Sequence, residues 1–306
     1  MRVMITGATG FIGRALCEAL HKDYDVIALS RHLDRARQSI GHIANVVEWD
    51  AKTPAGWKDQ AQGVSAIIHL AGENVGSGRW NEKRKSRILQ SRLDSTGAVI
   101  DAVKELGNKP NVVILASAIG TYGSRRDEPL DEISKPAEGF LANVCQQVES
   151  RAEEIESLGI RCVILRTGIV LGRNGGALAK LSKPFRFFLG GHLGSGDQWF
   201  SWISLDDEIA AIRFLMEHDQ LRGAFNLTAP GPVTMKEFCK ILGKVMHRPS
   251  WLHVPAFILR RALGEMADEM LLSGQRVLPK RLLEAGFEFR YPDVQKALSV
   301  IIKDKF

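Results

Sequence analysis

Four cysteines in 306 residues (Cys17, Cys145, Cys162 and Cys239) stand far apart and form no C-x-x-C pair. That spacing excludes the usual zinc sites and fits reduced thiols in a cytoplasm. Histidines such as His218, His247 and His253 are equally scattered, so no metal is expected. Tyrosine is scarcer still, with three in the chain. No apolar run approaches the ~18 residues of a membrane span, and no membrane partner is expected. Met1 and Arg2 lead straight into the first strand pattern, leaving no room for a signal peptide. A soluble cytoplasmic protein is the expectation. No internal repeat or low-complexity linker is present.

What is present is 45% hydrophobic residues, enough for one large domain or one domain with a smaller companion. The net charge of +6 is modest, and its basic residues gather at Arg31 to Arg37 and Arg79 to Arg92. Anionic ligands explain such clusters as well as nucleic acid would, and no RNA- or DNA-binding motif appears. Nucleic acid is therefore not expected as a partner.

The stretch that organises the chain is RVMITGATGFIGRALCEALHKDYDVIALSR, residues 2–31. Arg2–Thr6 suits a buried strand. Gly7, Gly10 and Gly13 follow at intervals of three and lead into an apolar-periodic helix pattern. Strand, glycine turn and helix place free backbone N–H groups and the positive end of a helix dipole where a pyrophosphate can sit. Asp25–Leu29 then closes a βαβ unit of about the expected ~30 residues. Gly7, Thr9, Gly10, Phe11, Ile12 and Gly13 are accordingly expected to hold a dinucleotide. No acid stands after the second strand to take a ribose 2′-hydroxyl. Ser30 and Arg31 occupy that place, and a guanidinium suits a 2′-phosphate, so NADP(H) is favoured over NAD(H).

Strand and helix patterns alternate onward. Asn45–Trp49, Ala66–Leu70, Val112–Ala116 and Arg161–Leu165 read as strands, with helices from about Asn81 to Leu106 and from Asn143 to Leu158. Alternation of this kind predicts an α/β fold, a Rossmann-type doubly wound parallel sheet. The expected cofactor domain is 1–165, able to receive a later strand near 225–227. A smaller α+β substrate lobe covers 166–306, with a small C-terminal domain at about 249–298. After Arg166 the chain becomes rich in glycine and aromatics, the make of a functional loop. Thr234 and Glu237 form a capping box for a helix through Val245. The tail reads strand (WLHVP), helix (AFILRRALG), helix (PKRLLEAG), strand (FEFRY).

TGATGFIG, HLAG, SAIGTYG, LRTGIVLG and WISLDD resemble the extended or atypical short-chain dehydrogenase/reductases, the group of nucleotide-sugar epimerases and dehydratases. FLANVCQQVE, GGALAKLSKPF, GGHLGSGDQWFSWI, NLTAPGPVTMKEF and LLSGQRVLPKRLLEAGFEFRYP narrow the likeness to epimerase-family proteins with an extra C-terminal domain of unassigned function. The resemblance covers essentially the whole chain. It implies a Rossmann-type domain that binds NADPH, and supplies no substrate. It also implies an oxidoreductase or epimerase-like enzyme acting on a small or nucleotide-linked carbonyl or sugar compound. A non-catalytic NADP(H)-binding protein is the rival. An anionic substrate and a homo-oligomer are left open.

The wider family works with a Tyr and a Lys four residues later, the Lys lowering the Tyr pKa. Here those places fall on Leu141 and Cys145, so the usual proton relay is missing. Ser117 and Tyr122 remain as catalytic candidates. Against that, Ser117 could bond backbone or cofactor, and Tyr122 could pack at the pocket rim. The 3.6-residue spacing puts Arg92 on the inward stripe of its helix, where a buried guanidinium requires a partner: a cofactor phosphate, a carboxylate or backbone carbonyls. Leu70, Ala71, Gly72, Glu73 and Arg79 leave the fourth strand at the ligand-binding edge, and Arg166 ends the sixth there. All are expected to contact cofactor or substrate; the competing account of Glu73, Arg79 and Arg166 is a surface ion-pair set. Asp50 closes the third strand, where the resemblance implies an adenine contact; an ordinary loop-starting Asp is the alternative. Trp199 and Trp202 could stack on a flat substrate, with at least one expected in the core. Arg186, His192 and Gln198 are candidates for the pocket wall.

Overall fold

The structure is a computed structural model that describes residues 1–173 and 175–303. The chain opens with β1 (Arg2–Thr6), α1 (Phe11–Leu20), β2 (Asp25–Ser30), α2 (Leu33–Ile40) and β3 (Asn45–Glu48). It continues through β4 (Ala66–His69), α3 (Glu82–Glu105), β5 (Val112–Ala118), β6 (Pro129–Leu130), α4 (Phe140–Glu149), α5 (Ala152–Ser157) and β7 (Arg161–Thr167). Then follow β8 (Ile169–Gly172), α6 (Gly176–Arg186), β9 (Gly190–Leu193), β10 (Trp199–Phe200), β11 (Trp202–Ser204), α7 (Leu205–Glu217) and β12 (Gly223–Leu227). Last come β13 (Val233–Thr234), α8 (Met235–Met246), β14 (Ser250–Val254), α9 (Ala256–Leu263), α10 (Glu265–Met270), β15 (Arg276–Val277), α11 (Lys280–Glu284) and α12 (Val294–Lys303).

Seven of these strands form one parallel sheet in the order β12-β7-β5-β4-β1-β2-β3. The order reverses between β1 and β4, which opens a crevice at their carboxyl ends. Both faces are covered. Val3, Ile5, Val26, Ala28 and Ile68 pack to one side with α1 and α7. Met4, Ile27, Leu29 and Ile67 pack to the other with α3. That is why the strands read as continuous apolar runs rather than alternating ones. The result is the expected α/β, Rossmann-type sheet, with β12 added beside β7.

Beyond the sheet, β8 pairs with β11, β9 with β14, β10 with β13, and β6 with β15. A third core of Phe185, Phe200, Trp202, Phe238, Leu242 and Leu298 joins α6, α8 and α12. The glycines between the end of β8 and the start of α6 serve packing: a β-carbon at Gly172, Gly175 or Gly176 would strike the Phe11 ring at 2.7, 2.6 and 2.9 Å. The capping box is complete, with Thr234 Oγ1 accepting from the Glu237 amide while Glu237 accepts from the Thr234 amide.

Two sequence expectations are corrected. The helix expected over 143–158 is two helices, because the Ser150 hydroxyl donates back to the Gln147 carbonyl and the chain turns before α5. The strand expected at Phe287–Tyr291 is not one. The amides of Arg290 and Tyr291 donate to the Asp207 carboxylate at 2.7 and 3.0 Å instead of to a neighbouring strand.

Candidate functional site

The glycine turn has the geometry its sequence predicts. Gly7 holds φ +68, and a β-carbon there would lie 2.8 Å from the Leu70 backbone. At Gly13 it would lie 2.3 Å from the Gly7 carbonyl, so α1 sits directly on the turn. Gly10, the residue before α1, offers no side-chain cap, and the first turn of the helix carries no acid. The opening N–H groups of α1, from Phe11, Ile12 and Gly13, are thus free to receive an anion beside Thr9. At the end of β2, Ser30 is buried and its hydroxyl accepts from the His32 amide at 3.2 Å. Arg31 beside it is exposed, free of ion-pair partners among the described residues. The residues present therefore fit a dinucleotide.

Below the turn lies a histidine, the first residue of HLAG, to which the sequence assigned no role. His69, at the end of β4, is 3% exposed. Its Nδ1 bonds Thr6 Oγ1 at 2.7 Å, and its Nε2 lies 3.2 Å from both Ser95 Oγ and Thr96 Oγ1. Thr6 Oγ1 also accepts from the Ala71 amide at 3.1 Å, so the network fixes Leu70–Gly72 against β1. Burial, with Arg92 nearby, lowers His69 to about 4, so the ring is neutral.

Next to this crevice, at the carboxyl ends of β4, β5 and β7, lies a cavity of about 290 Å³. Leu70, Ala71, Arg92, Ser117, Leu141, Cys145 and Trp199 stand on its wall. Arg92 finds backbone partners: Nη1 donates to the carbonyls of Glu73 and Ile88 at 3.1 and 3.0 Å. Cys145 Sγ lies 3.6 Å from the Ala118 carbonyl, and burial pushes its thiol up. The C-terminal domain closes the far wall with Glu269 to Gln275. Glu269 accepts from the amides of Phe140 and Leu141, both at 3.2 Å, and so caps α4.

Ser117 is the polar centre of this wall. Its hydroxyl donates to Glu149 Oε1 at 2.6 Å. Arg166 grips the same carboxylate twice, Nη2 to Oε2 at 2.7 Å and Nε to Oε1 at 3.1 Å. Glu149 escaped the sequence assignment of roles, although its signal was there: Leu141, Cys145 and Glu149 recur at i, i+4 along α4 and share a face.

Several expectations change. Tyr122 is wholly buried, donates to Asn226 Oδ1 at 2.7 Å and accepts from Arg166 Nη1 at 2.9 Å. Burial pushes its phenol up to about 12, and it does not line the cavity, so it cannot serve there as a proton donor. Arg166 bonds Glu149, Tyr122 and the Glu132 carbonyl, partners within the protein that the sequence did not mark. Glu73 pairs with Arg84, and Arg79 turns to the Arg261 carbonyl and Gly264 in the C-terminal domain. Asp50 accepts from the Lys52 and Thr53 amides at 2.7 and 2.8 Å, the bonding of a loop-starting Asp. Trp202 is core, with its indole N–H on the Gly231 carbonyl, while Trp199 reaches the cavity. Gln198 is tied to the Leu193 and Leu271 carbonyls, His192 packs at a tilt against His253, and Arg186 lies on a separate cleft.

Known proteins share this architecture. The chain is 39% identical over 307 residues to the epimerase family protein YfhF of Bacillus subtilis, covering 100% of this chain and 99% of that one. It is 40% identical over 308 residues to a chloroplastic SDR39U1 homologue of Arabidopsis thaliana, covering 99% and 87%. The crystal structure of human epimerase family protein SDR39U1 with NADPH superposes with a TM-score of 0.88 at 30% identity, over 99% and 100% of the two chains. Residues 254–301 match a domain of unknown function, DUF1731. Residues 3–228 match the NAD dependent epimerase/dehydratase family, and with full-length relatives on either side of that match the chain belongs to this family.

Proposed function

We propose that the protein is an NADP(H)-dependent oxidoreductase of epimerase-like type, acting on a small or nucleotide-linked hydroxyl or carbonyl compound without a Tyr-x-x-x-Lys pair. The observation that carries this is Ser117 on the cavity wall beside the dinucleotide turn, with its hydroxyl hydrogen-bonded behind the wall to Glu149, which Arg166 holds in turn. The Ser117 hydrogen is already directed at Glu149, so its oxygen faces the cavity as an acceptor. A substrate hydroxyl can pass its proton to Ser117 Oγ as the serine proton moves to Glu149 Oε1. Arg166 holds the Glu149 carboxylate in place for this transfer. In the reverse direction the same path returns a proton to a carbonyl oxygen. When bound, the nicotinamide supplies or takes up the hydride. Gly7 to Gly13 would hold the pyrophosphate and Ser30 with Arg31 the 2′-phosphate.

Two measurements test this. NADPH should bind more tightly than NADH by fluorescence titration, and Arg31→Ala should erase the preference; equal affinities in the parent protein would sink the phosphate assignment. On a panel of sugar nucleotides and small carbonyls, Ser117→Ala and Glu149→Gln should each lower turnover by ~10²–10⁴-fold with NADPH binding intact. A second reading, a non-catalytic NADP(H) sensor, draws support from the apolar wall at Leu141 and Cys145. Turnover that depends on Ser117 would eliminate it.

A further inference from the structure

Away from the cofactor edge, the turn after α6 carries three consecutive exposed apolar residues. Phe187, Phe188 and Leu189 are 66%, 55% and 51% exposed. Trp251 of β14, 66% exposed, stands beside them with its indole N–H donating to the Phe188 carbonyl at 3.1 Å. Large apolar side chains scattered singly on a surface need no explanation, whereas a contiguous group marks a contact surface. Phe188 also holds φ +62, the left-handed region where glycine is the default and a bulky side chain is strained. Its ring fills no core: it lies in the open beneath the Arg248 guanidinium, 4.5 Å from the ring centroid. The fold thus maintains an aromatic ring outward at a position where glycine would relax the backbone.

The charge around this group is of one sign. No Asp or Glu occurs from Ser157 to Gly196 or from Phe238 to Gly264, the two segments that build the face. Lys183 and Arg186 precede the turn, and Arg248 covers it. Arg186 and Arg248 also border a cleft of about 420 Å³ floored by Leu178, Met246 and Ile301, so cationic groups and an apolar recess adjoin.

We propose that this face docks peripherally on an anionic phospholipid bilayer. Phe187, Phe188, Leu189 and Trp251 enter the interfacial layer, and Lys183, Arg186 and Arg248 meet lipid phosphates. Charge complementarity selects this occupant. A second copy presenting the same face would set cations against cations. Aromatic side chains at a polar boundary with a basic rim are the chemistry of interfacial binding, and anionic headgroups supply the missing negative charge. The expectation of no membrane partner rested on the lack of a spanning run, which peripheral docking does not need. No described helix is long and apolar enough to cross a membrane.

Flotation of the full chain with phosphatidylcholine vesicles, and with mixed phosphatidylcholine–phosphatidylglycerol vesicles, tests this. Binding to the mixed vesicles should be at least about tenfold tighter, and should weaken as salt shortens the screening length. Phe188→Gly should lower vesicle affinity about tenfold while the melting temperature holds or rises, because the left-handed turn suits glycine. Arg186→Glu combined with Arg248→Glu should abolish the preference for anionic lipid, with NADPH binding unchanged as a check on the fold. Failure to float with anionic vesicles overturns the proposal, as does flotation that neither variant alters. A concentration-dependent dimer that Phe188→Gly dissolves, with no vesicle binding, would overturn it in favour of self-association.

Discussion

Glu208 and His69 are both buried, and they respond to pH in opposite directions. Glu208, on the first turn of α7, is 1% exposed; Thr167 Oγ1 donates to its Oε1 at 2.9 Å and its Oε2 has no partner among the described residues. Burial pushes the carboxyl up from 4.5 to about 8, so it is an acid that stays neutral near neutral pH. The folded chain holds this proton more tightly than the unfolded one, so Glu208 subtracts stability as pH climbs from about 4.5 towards 8. His69 is the converse. Its folded pKa is depressed from 6.5 to about 4, so the unfolded chain takes up the proton first and stability is lost as pH falls through that window. The two slopes oppose each other in the overlap, and their joint contribution declines outside it. Glu208→Gln should remove the alkaline decline, worth up to ~1.4 kcal/mol per pH unit, in urea melts compared at about pH 6 and about pH 8. An unchanged difference between the two conditions would refute the buried-acid account.

Helix ends separate stability from site geometry. Thr234 caps α8 from its own neighbourhood, whereas α4 is capped by Glu269 from the C-terminal domain. Removing either cap, by Thr234→Ala or Glu269→Ala, should cost ~1 kcal/mol in urea melts. Only Glu269→Ala should disturb cofactor or substrate affinity, since α4 carries Leu141, Cys145 and Glu149. Equal effects on ligand binding would show that Glu269 does nothing specific to the cavity. The same contrast explains what was legible beforehand. The Thr234–Glu237 box, the glycine turn and the strands of the seven-stranded sheet lie in local patterns, and these appear where the residues put them. Glu269 acts across more than a hundred residues on an amide pair, with no local mark. Arg166 and Tyr122 misled because position along the chain gives the edge a residue occupies and not its partners: Glu149 of α4 claims Arg166, while Asn226 of β12 and Arg166 itself claim the Tyr122 hydroxyl. FEFRY looked like a strand for a related reason: its alternation is real, but Asp207 takes its amides.

At the scale of the whole molecule, a ligand that grips the crevice between β1 and β4 stabilises the chain by mass action. NADPH at ~100 times its dissociation constant should add ~2.7 kcal/mol and raise the melting temperature by several degrees. NADH at the same concentration should raise it less, and Arg31→Ala should bring the two shifts together. Equal shifts in the parent chain would remove the preference for NADP(H). The closure of the interior has another result. All four thiols are buried, and burial pushes Cys17, Cys162 and Cys239 up to about 12 and Cys145 upward as well. Inert native thiols turn the chain into a ready host for reporters. One cysteine introduced on the surface would be the sole fast-reacting group towards a maleimide, giving site-selective labelling without first stripping the native residues.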